Sequence, residues 1–150
     1  MSNRIILLAH NIRSLWNVGS LFRTSDAFQV EKIYLTGYTA TPPRREISKT
    51  AIGAEEYVAW EYEKDPKNII SVLKKDKWEV VGLEQAENSI GLFQFEPSDR
   101  TLLIIGHEVT GISEDLLQLC DKVVEIPMYG KKESINVAVA TGIILNHMRR

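Results

Sequence analysis

Short apolar runs alternate with stretches of helical spacing along the chain. The first run, Arg4–Ala9, is almost continuously apolar, which is typical of a strand in a parallel sheet with helices on both faces. Four later runs share its length, its β-branched residues and its bounding Gly, Pro or charged residues. These further predicted strands are Lys32–Thr36, Glu79–Leu83, Thr101–Ile105 and Lys122–Met128.

Helical patterns fill most of the segments between the runs. They cover Asn17–Phe28, Pro66–Lys75, Ser113–Leu119 and the C-terminal segment. Strands that alternate with helices predict an α/β fold, here one domain over residues 1–150 with a mostly parallel sheet and flanking helices. Residues Pro42–Arg45 interrupt this pattern, because neither proline fits a helix interior or a central strand. They are predicted to form an exposed loop with two positive charges.

The segment from Ile126 to Arg150 has the most unusual pattern. A strand end with Pro127 leads through a glycine turn to Ser134 and Asn136, and a helix follows that is apolar on almost every side. Such a helix is predicted to be buried all round, with the free backbone donors of its N-terminus available to a ligand.

Composition limits the possible classes of protein. The chain has 150 residues, 44% hydrophobic and 25% charged, which fits one globular domain. Its formal net charge is only -2, so binding to a polyanion would have to come from local clusters of basic residues. A lone Cys120 excludes an internal disulfide. With no leader pattern and no bilayer-length apolar run, the expected location is the cytoplasm.

Two polar clusters follow predicted strands. After the first strand, Asn17 is a candidate N-cap, Gly19 permits close approach of a backbone or ligand, and Arg23 could simply pair with Asp26. After the fourth strand, two glycines flank Glu108 at the sheet edge where open α/β sheets bind ligands. Ser113 is expected to cap the next helix, but that leaves Glu108 unexplained.

Several kinds of site are disfavoured by spacing. The dinucleotide fingerprint and the phosphate loop are both missing. The three histidines show no zinc-ligand spacing, so no metal is expected, and Ser134 lacks a nucleophile elbow.

Three segments together resemble the signature motifs of the SpoU/TrmH branch of the SPOUT RNA methyltransferases. The first is Asn17…Gly19…Arg23, and the second is Gly106-x-Glu108-x-x-Gly111-Ile112. The third runs from Ile126-Pro127-Met128 through Ser134-Ile135-Asn136 to Gly142-Ile143. Their order and their span over nearly the whole chain make the match specific.

The resemblance implies a parallel sheet whose C-terminal part forms a deep trefoil knot. It also implies a homodimer that binds S-adenosylmethionine in the knot and methylates a ribose 2′-hydroxyl of tRNA or rRNA. The modest charge and the expected lack of an added RNA-binding domain slightly favour a compact target such as tRNA. Glu108 would brace the knot, while Asn17 and Asn136 would orient Arg23 and the ribose. The implied cofactor residues are Leu83, Gly106, Ile126, Met128, Ser134 and Ile135.

Arg23 is the family's proposed activator of the 2′-hydroxyl. A guanidinium is a poor proton acceptor near neutrality, so we expect it to stabilise a developing alkoxide, with Ser134 and Asn136 supplying alignment. RNA contact is assigned to basic residues in segments that flank the motifs. These candidates are Arg13, Arg44, Arg45, Lys49, Lys131 and Lys132, of which Arg44 and Arg45 are favoured.

Other functions stay open from the sequence. They are a SPOUT enzyme that methylates a base nitrogen, and a non-catalytic RNA-binding or ribosome-assembly protein with the same fold. An unrelated nucleotide-binding enzyme is disfavoured by the missing glycine fingerprint.

Overall fold

The apolar strand β1 (Arg4–His10) lies inside a parallel sheet of seven strands, with the order β3-β2-β1-β6-β4-β7-β5. The structure is a computed structural model and describes residues 3–150. The other strands are β2 (Lys32–Thr36), β3 (Trp60–Glu63), β4 (Glu79–Leu83), β5 (Ile90–Gly91), β6 (Arg100–Ile105) and β7 (Lys122–Glu125). The helices are α1 (Leu15–Ala27), α2 (Arg45–Ala51), α3 (Pro66–Lys75), α4 (Glu114–Leu117) and α5 (Val137–Met148).

Alternation along the central strands produces two cores. Ile5 and Leu7 of β1 face the core under α1, α2 and α5, whereas Ile6 and Leu8 face the core under α3 and α4. The sequence of a strand that is buried on both faces is a continuous apolar run, because neither side of the pleat meets water. The predicted α/β fold with a parallel sheet and flanking helices is therefore confirmed, while threading of the chain into a knot stays a prediction.

Three short elements do not follow the predicted pattern. The edge strands β3 and β5 were missed, because an edge strand needs no continuous apolar run. Helix α2 was missed as well. It begins at Arg45, which was predicted to lie in the exposed loop. Pro43 and Arg44 are exposed as predicted. Strand β7 ends at Glu125 and not at Met128, where Pro127 offers no N–H to a ladder.

The C-terminal helix α5 is not buried on all sides, and that prediction was wrong. Ile144 and Leu145 are fully buried, but Val139 is 55% exposed and Ile143 38% exposed. These two side chains form one stripe facing away from the core, beside the C-terminal half of α1. An apolar stripe of this kind is available to a partner.

Helix α1 begins two residues earlier than predicted and is capped by Ser14, whose hydroxyl accepts from the N–H of Asn17 at 3.2 Å. The predicted N-cap role of Asn17 was therefore wrong. Gly19 does permit the close approach expected of it, because a Cβ there would collide with Thr50 and with the carbonyl of Ile47 in α2.

Within residues 3–150, no helix is both long enough and apolar enough to cross a membrane.

Candidate active site

Glu108 connects two strand ends at the carboxyl edge of the sheet. It follows β6, and its carboxylate accepts hydrogen bonds of 2.8 Å from the N–H groups of Arg13 and Ser14 in the loop after β1. Asn17 Nδ2 donates a third bond, of 2.9 Å. Burial acts to raise the pKa of Glu108, but these hydrogen bonds outweigh it and leave the pKa below its usual value of 4.5.

Asn17 and Asn136 join this carboxylate to the start of α5. Asn136 Nδ2 donates to Asn17 Oδ1 at 3.0 Å. Asn136 Oδ1 caps α5 by accepting from the N–H groups of Ala138 at 2.8 Å and Val139 at 3.1 Å. Both ends of each amide are therefore fixed, because an amide nitrogen only donates and an amide oxygen only accepts. The three predicted motifs meet in this one network.

Arg23 lies on α1 about 1.7 turns beyond Asn17, and its side chain is exposed. It lines an open cavity of about 960 Å³ between α1 and α5, together with Asn17 and Asn136. We call this space the α1–α5 cavity. Among residues 3–150 no carboxylate lies within 4.0 Å of the guanidinium, so pairing with Asp26 does not occupy Arg23 in this structure. Its charge is available to a ligand in the cavity.

A second, smaller cavity of about 120 Å³ lies between the ends of β4 and β7, and we call it the β4–β7 cavity. Five of the six predicted cofactor residues line it. They are Leu83, Ile126, Met128, Ser134 and Ile135. Its remaining wall contains three polar side chains that were not predicted, namely Glu84, Gln85 and Glu125. Glu84 directly follows β4, and Glu108 lies three residues after β6, so a position just after a strand could have identified Glu84.

The sixth predicted cofactor residue, Gly106, does not line the β4–β7 cavity. It is buried where the chain turns after β6, and a Cβ there would overlap the carbonyl of Gly111. Gly111 in turn has a positive φ of 71°, and a Cβ on it would overlap the carboxylate of Glu84. Glu84 Oε1 accepts a hydrogen bond of 2.8 Å from the N–H of Ile112. Gly106 therefore lets the second motif close on itself, and Gly111 lets it pack against Glu84, the residue after β4.

The β4–β7 cavity fits S-adenosylmethionine in its chemistry. Leu83, Ile126 and Ile135 offer apolar surface for a purine, and Glu84 and Glu125 offer negative charge for a sulfonium. Within the described part of the chain, the N–H groups from Met128 to Ile135 donate to no protein acceptor. The loop can therefore give backbone hydrogen bonds to the edge of a bound ligand.

Ser134 and Asn136 were both predicted to align the reaction at Arg23, and in the structure they line different cavities. Ser134 contributes to the β4–β7 cavity, and Asn136 contributes to the α1–α5 cavity. The two residues flank Ile135, and the chain between them forms the boundary between the cavities. This placement favours a cofactor contact for Ser134, while its catalytic role stays a prediction.

The basic residues predicted to bind RNA are all exposed. They are Arg13, Arg44, Arg45, Lys49, Lys131 and Lys132. Lys49 Nζ lies 6.0 Å from the ring of Trp16 on α1, and Trp16 is itself 48% exposed.

Cys120 plays no part at this edge, because its thiol is packed under α4 and burial raises its pKa to about 11.

Comparison with known proteins agrees with this geometry. Residues 4–146 match the SpoU rRNA Methylase family. The chain is 31% identical over 147 residues to the tRNA (guanosine(18)-2′-O)-methyltransferase of Aquifex aeolicus, covering 97% of this chain and 69% of that protein. It is 29% identical over 146 residues to the 23S rRNA (guanosine(2553)-2′-O)-methyltransferase of Bacillus subtilis, covering 97% of this chain and 58% of that protein.

A solved structure supports the same relationship. The SpoU methyltransferase AviRb from Streptomyces viridochromogenes, in complex with the cofactor AdoMet, superposes with a TM-score of 0.89 at 25% identity. The match covers 99% of this chain and 60% of that one. The parallel-sheet fold and the family match together define the class of SpoU-type RNA methylases. This chain belongs to the SpoU rRNA Methylase family, as its three motifs predicted.

Proposed function

We propose that this protein transfers a methyl group from S-adenosylmethionine to a ribose 2′-hydroxyl of RNA. The observation that carries the proposal is the network of Glu108, Asn17 and Asn136, which connects all three family motifs beside the exposed Arg23. The names of the relatives support the same chemistry, since both curated relatives described above are 2′-O-methyltransferases. The chain spans less than two thirds of the second relative, so its RNA substrate is part of the proposal.

Arg23 stabilises negative charge that develops on the 2′-oxygen. A guanidinium remains protonated near neutrality, so it donates hydrogen bonds and does not accept the proton. Its exposure beside Asn17 and Asn136 leaves its N–H groups free to reach a ribose in the α1–α5 cavity. Fixed donors aimed at developing charge contribute strongly to catalysis because they need little reorganisation during the reaction.

The β4–β7 cavity holds the methyl donor in this proposal. When bound, S-adenosylmethionine supplies a methyl group on a positively charged sulfur. Leu83, Ile126 and Ile135 would contact the adenine, and the loop from Met128 to Ser134 would donate backbone hydrogen bonds to it. Ile135 and Asn136 are adjacent in sequence, so the same short segment serves both cavities and fixes their separation.

RNA contact is proposed for the exposed basic residues around these cavities. Arg13 belongs to the loop whose backbone Glu108 fixes, and Lys131 belongs to the loop that borders the β4–β7 cavity. Arg44 and Arg45 lie at the start of α2, and Lys49 lies one turn further along. Contacts of these residues with phosphates would position the RNA without reading its sequence.

The proposal includes a homodimer formed through the apolar stripe of α5. Val139 and Ile143 are exposed beside Ala27 of α1, and a second copy of the chain would remove this surface from water. Val139→Glu should then give a monomer in sedimentation equilibrium. The matched control is Val72→Glu on α3, because Val72 is 64% exposed on the other face of the sheet. A dimer that survives Val139→Glu and Ile143→Glu together would contradict this interface.

The deciding experiment follows the labelled methyl group. Wild-type protein and Arg23→Ala are incubated with methyl-labelled S-adenosylmethionine and total cellular RNA, and the RNA is then hydrolysed in alkali. A ribose-methylated linkage resists alkali, so label should remain in dinucleotides for the wild type only. Label in mononucleotides would indicate base methylation. No incorporation into any RNA would refute the proposed activity and leave an RNA-binding function.

Mapping 2′-O-methyl positions in cells with and without the gene would identify the RNA. We propose tRNA as the first substrate to test, because the relative with the greater identity and coverage is named as a tRNA methyltransferase.

The proposed location is the cytoplasm. The free thiol of the single cysteine is compatible with that reducing compartment.

A further inference from the structure

An aromatic cleft of about 630 Å³ lies at the end of the sheet near β2 and β3, apart from the two cavities described above. We call it the aromatic cleft and define it by five of its lining residues. These are Tyr38, Pro43, Arg44, Trp60 and Tyr62. Trp60 and Tyr62 are two residues apart on β3, so their side chains lie on the same face of the sheet. Tyr38 is 58% exposed and Tyr62 is 48% exposed.

Hydrogen bonds hold the walls of this cleft in place. The hydroxyl of Tyr62 donates to the carbonyl of Gly37 at 2.6 Å, which joins β3 to the loop after β2. The N–H of Tyr38 donates to Asn11 Oδ1 at 3.0 Å. The hydroxyl of Thr39 donates to the carbonyl of Ala9 at 3.1 Å and accepts from the N–H of Ile12 at 3.0 Å. Because the loop is anchored to β1 and to the residues that follow it, the cleft exists before any ligand binds.

Exposed aromatic faces next to a guanidinium match the chemistry of an unpaired nucleotide. A base stacks on aromatic side chains, while an arginine contacts its phosphate or stacks on its other face. Arg44 lines the cleft, and the exposed Arg45 follows it. The acidic side chain on β3 between the two aromatics, Glu61, is paired with Lys32 at 3.1 Å. A space of this size is within the range of small-ligand sites.

The cleft is connected to the active site through Tyr38. The rings of Tyr38 and His107 pack edge to face with centroids 6.5 Å apart, and His107 directly precedes Glu108. His107 Nδ1 accepts from the N–H groups of Val109 at 2.9 Å and Thr110 at 3.1 Å, so its ring is fixed in the loop after β6. A nucleotide in the cleft would therefore lie along the same sheet edge as the network around Asn17.

We propose that the aromatic cleft binds one unstacked base of the RNA substrate, a nucleotide other than the one that receives the methyl group. This inference rests on the proposed function for the identity of its ligand as RNA. Bound in this way, the base would fix the register of an unpaired segment, such as a loop, relative to Arg23. The cleft would then favour single-stranded regions over continuous duplex, because a paired base cannot reach an aromatic face.

The test measures RNA binding without any methyl donor. The probes are a fluorescent 12-nucleotide single-stranded RNA of mixed sequence and the same strand annealed into a blunt duplex. Tyr38→Leu and Tyr62→Leu should each weaken binding of the single strand on the order of 5- to 100-fold and change duplex binding little. The control Tyr57→Leu removes an aromatic ring that is 79% exposed outside the cleft, and it should leave both affinities unchanged.

A second measurement separates stacking from a loss of fold. Single-stranded RNA that carries 2-aminopurine should lose fluorescence on binding to wild type and Tyr62→Phe, because Phe keeps the ring but not the hydroxyl. The double variant Tyr38→Leu/Tyr62→Leu should show no such quenching while keeping the wild-type circular dichroism spectrum. Unchanged single-strand affinity and quenching in that folded variant would overturn the inference. Stacking without methyl transfer would refute the proposed activity alone, and methyl transfer without stacking would refute the cleft alone.

Discussion

Asn17 Nδ2 lies 2.9 Å from Glu108 Oε2, although the two residues are 91 positions apart in the chain. The bond joins the loop after β6 to the first turn of α1. The same carboxylate also accepts from the backbone of Arg13 and Ser14, so one side chain fixes the start of the helix that presents Arg23. The shape of this corner therefore depends on an ionised carboxylate that accepts three hydrogen bonds.

Replacing Glu108 by Gln should disrupt this corner. The amide nitrogen of Gln would face N–H donors, and at least one of the three hydrogen bonds would be lost. We expect a loss of about 1–3 kcal/mol in the free energy of unfolding, measured by urea denaturation, together with a fall in methyl transfer. Glu56→Gln, at an exposed position, is the control and should change neither quantity. Wild-type stability in Glu108→Gln would show that the charge is unimportant.

The stabilisation from Glu108 should depend on pH. Its pKa in the folded protein is below the ordinary value of 4.5, so ionisation favours the folded state. The contribution is complete above pH 4.5 and is lost as the pH falls through the lower, folded pKa. The difference in unfolding free energy between wild type and Glu108→Gln should therefore be largest near about pH 7 and shrink below about pH 4. A difference that stays constant over this range would exclude the carboxylate as its source.

Much of the fold and site follows from local sequence. Continuous apolar runs mark β1 and β6, because each is covered on both faces, and Gly106 to Ile112 marks a turn by composition alone. The exposed stripe of Val139 and Ile143 could not be predicted, since an exposed apolar residue on a helix has the same sequence pattern as one in a core. The separation of Ser134 from Arg23 also depends on tertiary structure, because neighbours in sequence can face different cavities.

Arg23 should act by its charge and not as a base. Arg23→Ala should lower kcat on the order of 100- to 1,000-fold, because one donor to developing charge is lost, while affinity for S-adenosylmethionine in calorimetry stays unchanged. Arg23→Lys should retain part of the activity with the same pH dependence of the rate. Lys75→Ala, at the exposed end of α3, is the control for removal of a surface cation. A pH profile that shifts in Arg23→Lys would favour proton abstraction by this side chain.

Asn136→Asp should separate the two tasks of Asn136. An aspartate can still cap α5 through its oxygen, so the free energy of unfolding should change by less than about 1 kcal/mol. It cannot donate to Asn17 Oδ1, and it would place a negative charge in the α1–α5 cavity beside Arg23. Methyl transfer should therefore fall sharply in a protein of nearly normal stability. Asn136→Ala loses both tasks and serves as the comparison, with a cost of about 1 kcal/mol from the lost cap.

Arg149 should stabilise the C-terminal helix by the geometry of its guanidinium and not only by its charge. Nε donates to the carbonyl of Phe28 at 2.7 Å, and Nη2 donates to that of Gln29 at 2.8 Å. Nη1 donates to the carbonyl of Asn3 at 2.6 Å and to its Oδ1 at 2.8 Å. One side chain thereby joins the end of α5 to the end of α1 and to the residue before β1.

Arg149→Lys distinguishes these contacts from the helix dipole, because lysine keeps the positive charge but has one nitrogen in place of three. We expect a loss of about 2 kcal/mol in the free energy of unfolding, measured by urea denaturation. Arg150→Lys, at the exposed last residue, should change it by less than about 0.5 kcal/mol. Equal stabilities of the two variants would show that Arg149 stabilises the protein through its positive charge alone. The larger loss would instead show that α5, which presents Asn136 at one end, is fastened to α1 at the other.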